Sequence, residues 1–198
     1  MKGINYTQIT YQKSIARIED LKGDFGGEVA FIGRSNAGKS SAMNAITNNK
    51  HLAKVSKTPG RTQQINFFKV DEHHRLVDLP GYGFARVSLE LKQEWDRLIE
   101  GYLQERECLK GLFLIMDIRH PLKETDQMIL RWGDSADLPI HILLTKADKL
   151  SESGAKTILL EVKESLDHQG FQATIQLFSA TKSTGVDRAK KVLEEWLS

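Results

Sequence analysis

Residues 33–40 read G-R-S-N-A-G-K-S, and no other stretch so narrows what this chain can fold into. The string fits the phosphate-binding pattern G-x-x-x-x-G-K-[ST] at every defined position. Its flanks carry equal weight. Residues 28–33, E-V-A-F-I-G, predict a short buried strand, and residues 39–46, K-S-S-A-M-N-A-I, predict the first turns of a helix. A strand, a glycine loop and a helix N-terminus make a phosphate cradle, because backbone N–H groups turn inward and the helix dipole adds partial positive charge. Lys39 would add a full charge toward the β- and γ-phosphates. Ser40 carries the short hydroxyl that a Mg²⁺ ligand needs there. The competing reading is a glycine-rich turn with no ligand, and the rest of the chain argues against it.

Strand and helix patterns alternate almost throughout, which predicts an α/β fold. Strand candidates cover residues 64–70, 75–79, 111–116, 140–144 and 173–178, and helix candidates cover 89–107, 124–132, 155–168 and 185–196. Only D-E-H-H separates the strands at 64–70 and 75–79. A parallel pair needs a crossover of about a dozen residues, so these two must be antiparallel and the sheet mixed. Residues 1–27 read as an extension that adds a strand or short helix over 11–18, ahead of a single domain over 28–198. Trp95, Trp132 and Trp196 fall on apolar helix faces and are expected in the core.

Further signals follow at predicted strand ends, where an open α/β sheet binds its ligands. Asp78, Leu79, Pro80 and Gly81 form a D-x-x-G. The Asp can hold Mg²⁺ through water, and the Gly N–H can approach a γ-phosphate unobstructed; alone, the string is a Pro-Gly turn with a capping Asp. Thr62, on a basic loop, could complete the metal shell when a γ-phosphate is present. Thr145, Lys146, Ala147 and Asp148 form T-K-A-D. A carboxylate there accepts from the ring N–H and exocyclic amine of guanine, a pair adenine does not offer, while the Lys146 stem can lie over the purine. Backbone N–H groups at Ser179 and Ala180 could donate to guanine O6.

These segments, with D-I-R-H-P over 117–121 and K-T-P-G-R-T-Q over 57–63, resemble the EngB (YihA/YsxC) family of bacterial GTP-binding proteins, in the TRAFAC class, over residues 20–197. The resemblance implies a Ras-like P-loop GTPase fold: a mixed, mostly parallel six-stranded sheet with one antiparallel strand and helices on both faces. It implies GTP/GDP contacts at Gly33, Arg34, Ser35, Asn36, Ala37, Gly38, Lys39, Ser40 and Ser41. It extends them to Gly60, Arg61, Thr62, Gln63 and Gln64, to Asp78, Leu79, Pro80 and Gly81, and to Thr145, Lys146, Ala147, Asp148, Phe178, Ser179 and Ala180. Mg²⁺ would be held by Ser40, Thr62 and, through water, Asp78. Lys39, Thr62 and Gly81 would act on the phosphoryl group. The resemblance also implies slow GTP hydrolysis, a partner in the large ribosomal subunit or its precursor (rRNA and proteins), and cell-division and septation defects on loss. Thr145 stands where the general motif has Asn, so a weaker tether between base loop and phosphate loop is expected. A K⁺ beside the phosphates at Asn36 is a further implication, with simple loop capping as the other reading.

Phosphoryl transfer asks a protein for positioning and charge stabilisation. Tyr82 stands where a water-positioning glutamine would follow the D-x-x-G, and its ring cannot orient water as an amide does, so intrinsic turnover is expected to be slow. A nucleotide-dependent scaffold with negligible hydrolysis is the alternative. Arg61 and Arg86 are candidate cis arginines. Lys50, His51, Lys54, Lys57 and Arg61 make the loop basic enough to meet rRNA phosphate; Lys182, Arg188, Lys190 and Lys191 read as ordinary surface. Net charge is only +2, which permits nucleic-acid contact without demanding it. Cys108 is the sole cysteine, so no intrachain disulfide is available, and it follows a helical pattern and is read as a packing residue rather than a nucleophile. No signal-peptide core or membrane-length run is seen, and no surplus apolar helix face. A cytoplasmic monomer without membrane contact is the expectation.

Overall fold

The structure, a computed structural model, describes residues 4–53, 64–83 and 89–198. Strand β1 (Thr10–Ile15) is followed by β2 (Gly27–Gly33), helix α1 (Lys39–Ile46), β3 (Ile65–Lys69), β4 (His74–Asp78), α2 (Leu89–Glu105) and β5 (Leu109–Asp117). Then come α3 (Glu124–Ser135), β6 (Ile140–Thr145), α4 (Glu152–Gln169), β7 (Ala173–Leu177) and α5 (Val186–Trp196). They build one seven-stranded sheet in the order β1-β3-β4-β2-β5-β6-β7. The six strands expected from sequence are β2 to β7. The seventh, β1, comes from the N-terminal extension and runs antiparallel to β3, in register from Thr10↔Lys69 to Ile15↔Ile65. Because β3 is also antiparallel to β4, it is the single reversed strand.

β2 is buried along its whole length, as a strand flanked by parallel neighbours and covered on both faces must be. Its side chains alternate between two cores. Ala30 and Ile32 join Phe67, Val77, Leu112 and Leu114 under α2, α3 and α4, through Tyr102, Leu130 and Val162. Val29 and Phe31 face the other way, with Phe113 and Ile115, under Met43 of α1 and Leu193 of α5. Phe31 stacks on Phe113 at 4.8 Å between ring centroids. Trp132 and Trp196 pack half-buried against these cores; the side chain of Trp95 lies outside the described residues.

Cys108 is buried in the turn between the end of α2 at Glu105 and β5. Burial pushes its thiol up to about 12, so it is a poor nucleophile. At the N-terminal end of β2, the buried Glu28 accepts from Arg75 Nε (2.8 Å), Arg106 Nη2 (2.6 Å) and the Tyr102 hydroxyl (2.9 Å). This closes the floor of the sheet, opposite the motif-bearing strand ends. Among the described residues no helix is long and apolar enough to cross a membrane.

Candidate nucleotide-binding site

The parallel strands converge their C-terminal ends on one edge, and the motifs arrive there together. β2 ends at Gly33, whose missing Cβ matters: one built there would lie 2.5 Å from the Ile115 carbonyl oxygen of β5. The loop then turns through Asn36 (φ 62°) and Gly38 (φ 100°) before α1 starts at Lys39. No side chain caps this helix start. Ala37 is buried and Asn36 exposed, while Arg34, Ser35, Gly38, Lys39, Ser40 and Ser41 are half-buried.

The D-x-x-G segment lies against this loop. Leu79 N–H donates to Phe31 O (3.0 Å), Ser35 N–H to Tyr82 O (2.8 Å) and Tyr82 N–H to Gly33 O (3.3 Å). Lys39 Nζ forms an ion pair with the Asp78 carboxylate. The two groups expected to serve phosphate and metal thus neutralise each other here. Leu79 and Pro80 are buried and Gly81 half-buried. The donor set suits a triphosphate with a hard divalent ion: a primary ammonium, a serine hydroxyl in the first turn of α1 and a carboxylate beside them. Thr62, with Gly60, Arg61 and Gln63, falls outside the described residues, as do Arg86, Lys54 and Lys57. Gln64 is exposed at the start of β3, and Lys50 and His51 are exposed.

Tyr82 does not face the phosphate loop. Its ring is buried in the core, and its hydroxyl donates to Asp126 Oδ1 at 2.6 Å. The other Asp126 oxygen accepts the Lys123 N–H at the start of α3 (2.9 Å). Burial raises the Tyr82 phenol and the Asp126 carboxyl alike, the Tyr82 hydrogen bond only partly offsetting the rise at Asp126.

The base loop follows β6. Thr145 Oγ1 reaches the Ala37 carbonyl of the phosphate loop, with Met116 O at 3.0 Å. The hydroxyl spans the gap between the two loops because Ala37 comes within its reach. Lys146 has φ 59°, and its Nζ donates to Asn36 O at 2.7 Å. Asp148 Oδ1 accepts from the buried Ser179 hydroxyl at 2.6 Å, which holds the carboxyl below its ordinary value. Ser179 differs from expectation in one respect. Its N–H is taken by Thr184 O at 3.0 Å, so its contribution is the hydroxyl that aims Asp148. Phe178 is buried, its N–H on Leu144 O (2.9 Å) and its C=O accepting from Ala147 N–H (3.1 Å), which locks the base loops together. Ala180 is half-buried beside them.

Asp117, at the end of β5, pairs with Arg119 and also with Lys146. The parallel register that sets Asp117 beside Thr145 was the available signal for the second pair. A cavity of about 200 Å³ opens on this side of the phosphate loop, lined by Arg34, Asn36, Asp117, Arg119, Asp126 and Lys146 among others.

A phosphate loop, a D-x-x-G and a T-K-A-D on one sheet edge define a P-loop nucleotide-binding protein of the GTPase class. Residues 28–146 match the family model described as 50S ribosome-binding GTPase. Proteins named "Probable GTP-binding protein EngB" are 54% identical over 98% of this chain and 94% of theirs (Coxiella burnetii), and 51% identical over 100% and 92% (Aliivibrio fischeri). The chain belongs to the EngB family of GTP-binding proteins. In fold it is similar to a crystal structure of a GTP-binding protein engB (TM-score 0.68, 20% identity, 86% of this chain and 98% of that one). It is also similar to Era in complex with MgGDPNP and nucleotides 1506–1542 of 16S ribosomal RNA (TM-score 0.65, 21% identity, 89% and 58%).

Proposed function

We propose that the protein is a GTP/GDP switch, slow in intrinsic hydrolysis, that acts in assembly of the large ribosomal subunit and whose loss impairs cell division and septation. The observation that carries the nucleotide reading is Asp148, ionised, aimed by Ser179, in the same segment as Thr145 and Lys146, which reach the phosphate loop. Its two oxygens would accept from the guanine ring N–H and exocyclic amine, and Ala180 N–H would donate to O6. Lys39 would leave Asp78 for the phosphates. Ser40, Thr62 and, through water, Asp78 would then hold Mg²⁺, which when bound supplies charge neutralisation between the phosphate oxygens. Gly81 N–H would meet the γ-phosphate. A K⁺ at Asn36 would add positive charge beside it.

The ribosomal part of the reading rests on the description of the matching family model and on the exposed Lys50 and His51 beside the basic loop. A monomer free in the cytoplasm suits the buried apolar helix faces. A second reading, a scaffold that binds nucleotide with negligible hydrolysis, draws on Tyr82: its side chain is spent on Asp126 and presents nothing to an attacking water.

Competition of GDP against ADP for a fluorescent guanine nucleotide tests the base reading. The wild type should prefer GDP strongly and Asp148→Ala should lose that preference; an unchanged preference would sink it. Co-sedimentation with 50S particles under GTP, GDP and no nucleotide tests the switch, and equal binding in all three would reject it. Phosphate release with and without those particles separates the two readings.

A further inference from the structure

The carboxylate of Asp117, at the last residue of β5, is built into a chain of contacts that ends on the phosphate loop. Its Oδ1 accepts from the Arg119 backbone N–H (3.0 Å) and Arg119 Nε (2.9 Å). Its Oδ2 accepts from Arg119 Nη2 (2.7 Å) and lies 2.9 Å from Lys146 Nζ. That same ammonium donates to Asn36 O, at the crest of the phosphate loop, at 2.7 Å. Partial burial works to raise the Asp117 carboxyl, but the hydrogen bonds from Arg119 and Lys146 outweigh it and hold the group well below the ordinary carboxylate range. It is ionised at any pH at which the protein would work.

A lysine on four flexible carbons does not by itself stay over a base. It has several rotamers to lose and a strongly hydrated head. Here the head has two fixed acceptors, one on each side: a backbone carbonyl of the phosphate loop and the Asp117 carboxylate. Arg119 orients that carboxylate from the outside through a planar fork and its own N–H. We infer that Asp117 is a positioning residue for nucleotide binding: it holds Lys146 extended across the purine subsite and against Asn36, so that base loop and phosphate loop are joined before ligand arrives. The inference rests on the guanine-nucleotide reading and deepens it, by assigning part of the affinity to a residue that never touches the ligand. Contacts set in advance spare the ligand the cost of ordering them.

The test is stopped-flow dissociation of mant-GDP from the full chain, in the wild type, Asp117→Ala, Asp117→Asn, Lys146→Ala and the Asp117→Ala/Lys146→Ala double variant. Asp117→Ala should release mant-GDP about tenfold faster, the scale expected when one charge-assisted hydrogen bond is lost. Asp117→Asn, which keeps the shape and an acceptor oxygen, should fall between. In the Lys146→Ala background the Asp117→Ala change should have no further effect, since a residue acting only through Lys146 has nothing left to act on. An unchanged rate in both Asp117 variants overturns the inference. So does the same fold-change with and without Lys146, which would mark a general structural role. A wild type that binds no mant-GDP would sink the nucleotide reading itself, and that outcome is distinct from either.

Discussion

At the N-terminal end of β2 the carboxylate of Glu28 is fully buried, with Arg75, Arg106 and Tyr102 all donating to it. At the C-terminal side of the same sheet Asp78 and Lys39 also form an ion pair, but each has this partner at the edge of an open loop, with side chains 11% and 12% exposed. The floor of the sheet saturates its charge with fixed donors. The upper edge leaves its charges in a pairing that an incoming phosphate and cation would exchange. One arrangement serves the fold and the other, on the function proposed above, would give way to a ligand, and the contrast can be attacked from either end.

The largest effect is expected at the floor. Burial alone would raise the Glu28 carboxyl, yet the donors from Arg106 and Arg75 bring it below its ordinary value. Glu28→Gln leaves two guanidinium groups without their counter-charge in a buried site, and breaking such a network costs about 3–5 kcal/mol. Urea denaturation should show this loss at neutral pH. A midpoint within error of the wild type would mean the floor is no more structural than the upper edge.

Between the two ends, β6 carries a buried histidine. His141 has its ring nitrogens 2.6 Å from Thr174 Oγ1 and 2.9 Å from Gln176 Oε1, and burial lowers it from 6.5 to about 4. The unfolded chain takes up the proton first as pH falls, so stability present above pH 6.5 is lost between 6.5 and about 4. The slope is about 1.4 kcal/mol per pH unit in that window. Denaturation midpoints measured at pH 7, 6 and 5 should fall steadily, and His141→Gln should flatten the decline. A decline that survives the substitution would assign it to the carboxylates instead.

At the upper edge, Lys39→Ala should show its larger effect with ligand. The wild type should gain about 2.7 kcal/mol at a nucleotide concentration one hundred times Kd, read as a shift in thermal midpoint. The variant should gain nothing at that concentration, while its ligand-free stability changes less than that of Glu28→Gln. A ligand-free loss as large as at Glu28 would erase the distinction between floor and edge.

The sequence made one half of this contrast readable and not the other. The apolar runs of β2, β5 and β6 and the strings around Lys39, Gly81 and Asp148 are local, so spacing alone places them on strand ends. The donors to Glu28 come from β4, from α2 and from the residue after α2, and nothing local links them. Ser179 aiming Asp148, and Asp117 reaching Lys146, likewise depend on which strand ends become neighbours. Counting the parallel register between β5 and β6 would have brought Asp117 beside Thr145. The strand β1 was ambiguous with a short helix because half of its residues are exposed on a sheet edge, where the period-two pattern is weakest.

The smallest effect is expected where the two regions meet. Tyr82 belongs to the D-x-x-G edge by its backbone, which is bonded to Gly33 and Ser35, and to the core by its ring. Tyr82→Phe removes only the hydroxyl that donates to Asp126, and leaves a buried carboxylate with the Lys123 N–H as its remaining described donor. The cost should be about 1.5–3 kcal/mol, the range for one buried hydrogen bond to a charged group. Asp126→Asn in the same background should return part of it, because an amide at that site carries no charge to desolvate. If Tyr82 is only a core residue, Tyr82→Phe should leave the ratio of GTP to GDP affinity unchanged. If its hydroxyl also fixes where Gly81 presents its N–H, that ratio should move about two- to fivefold while GDP affinity holds, as expected for a loss of up to about 1 kcal/mol felt only when the third phosphate is bound.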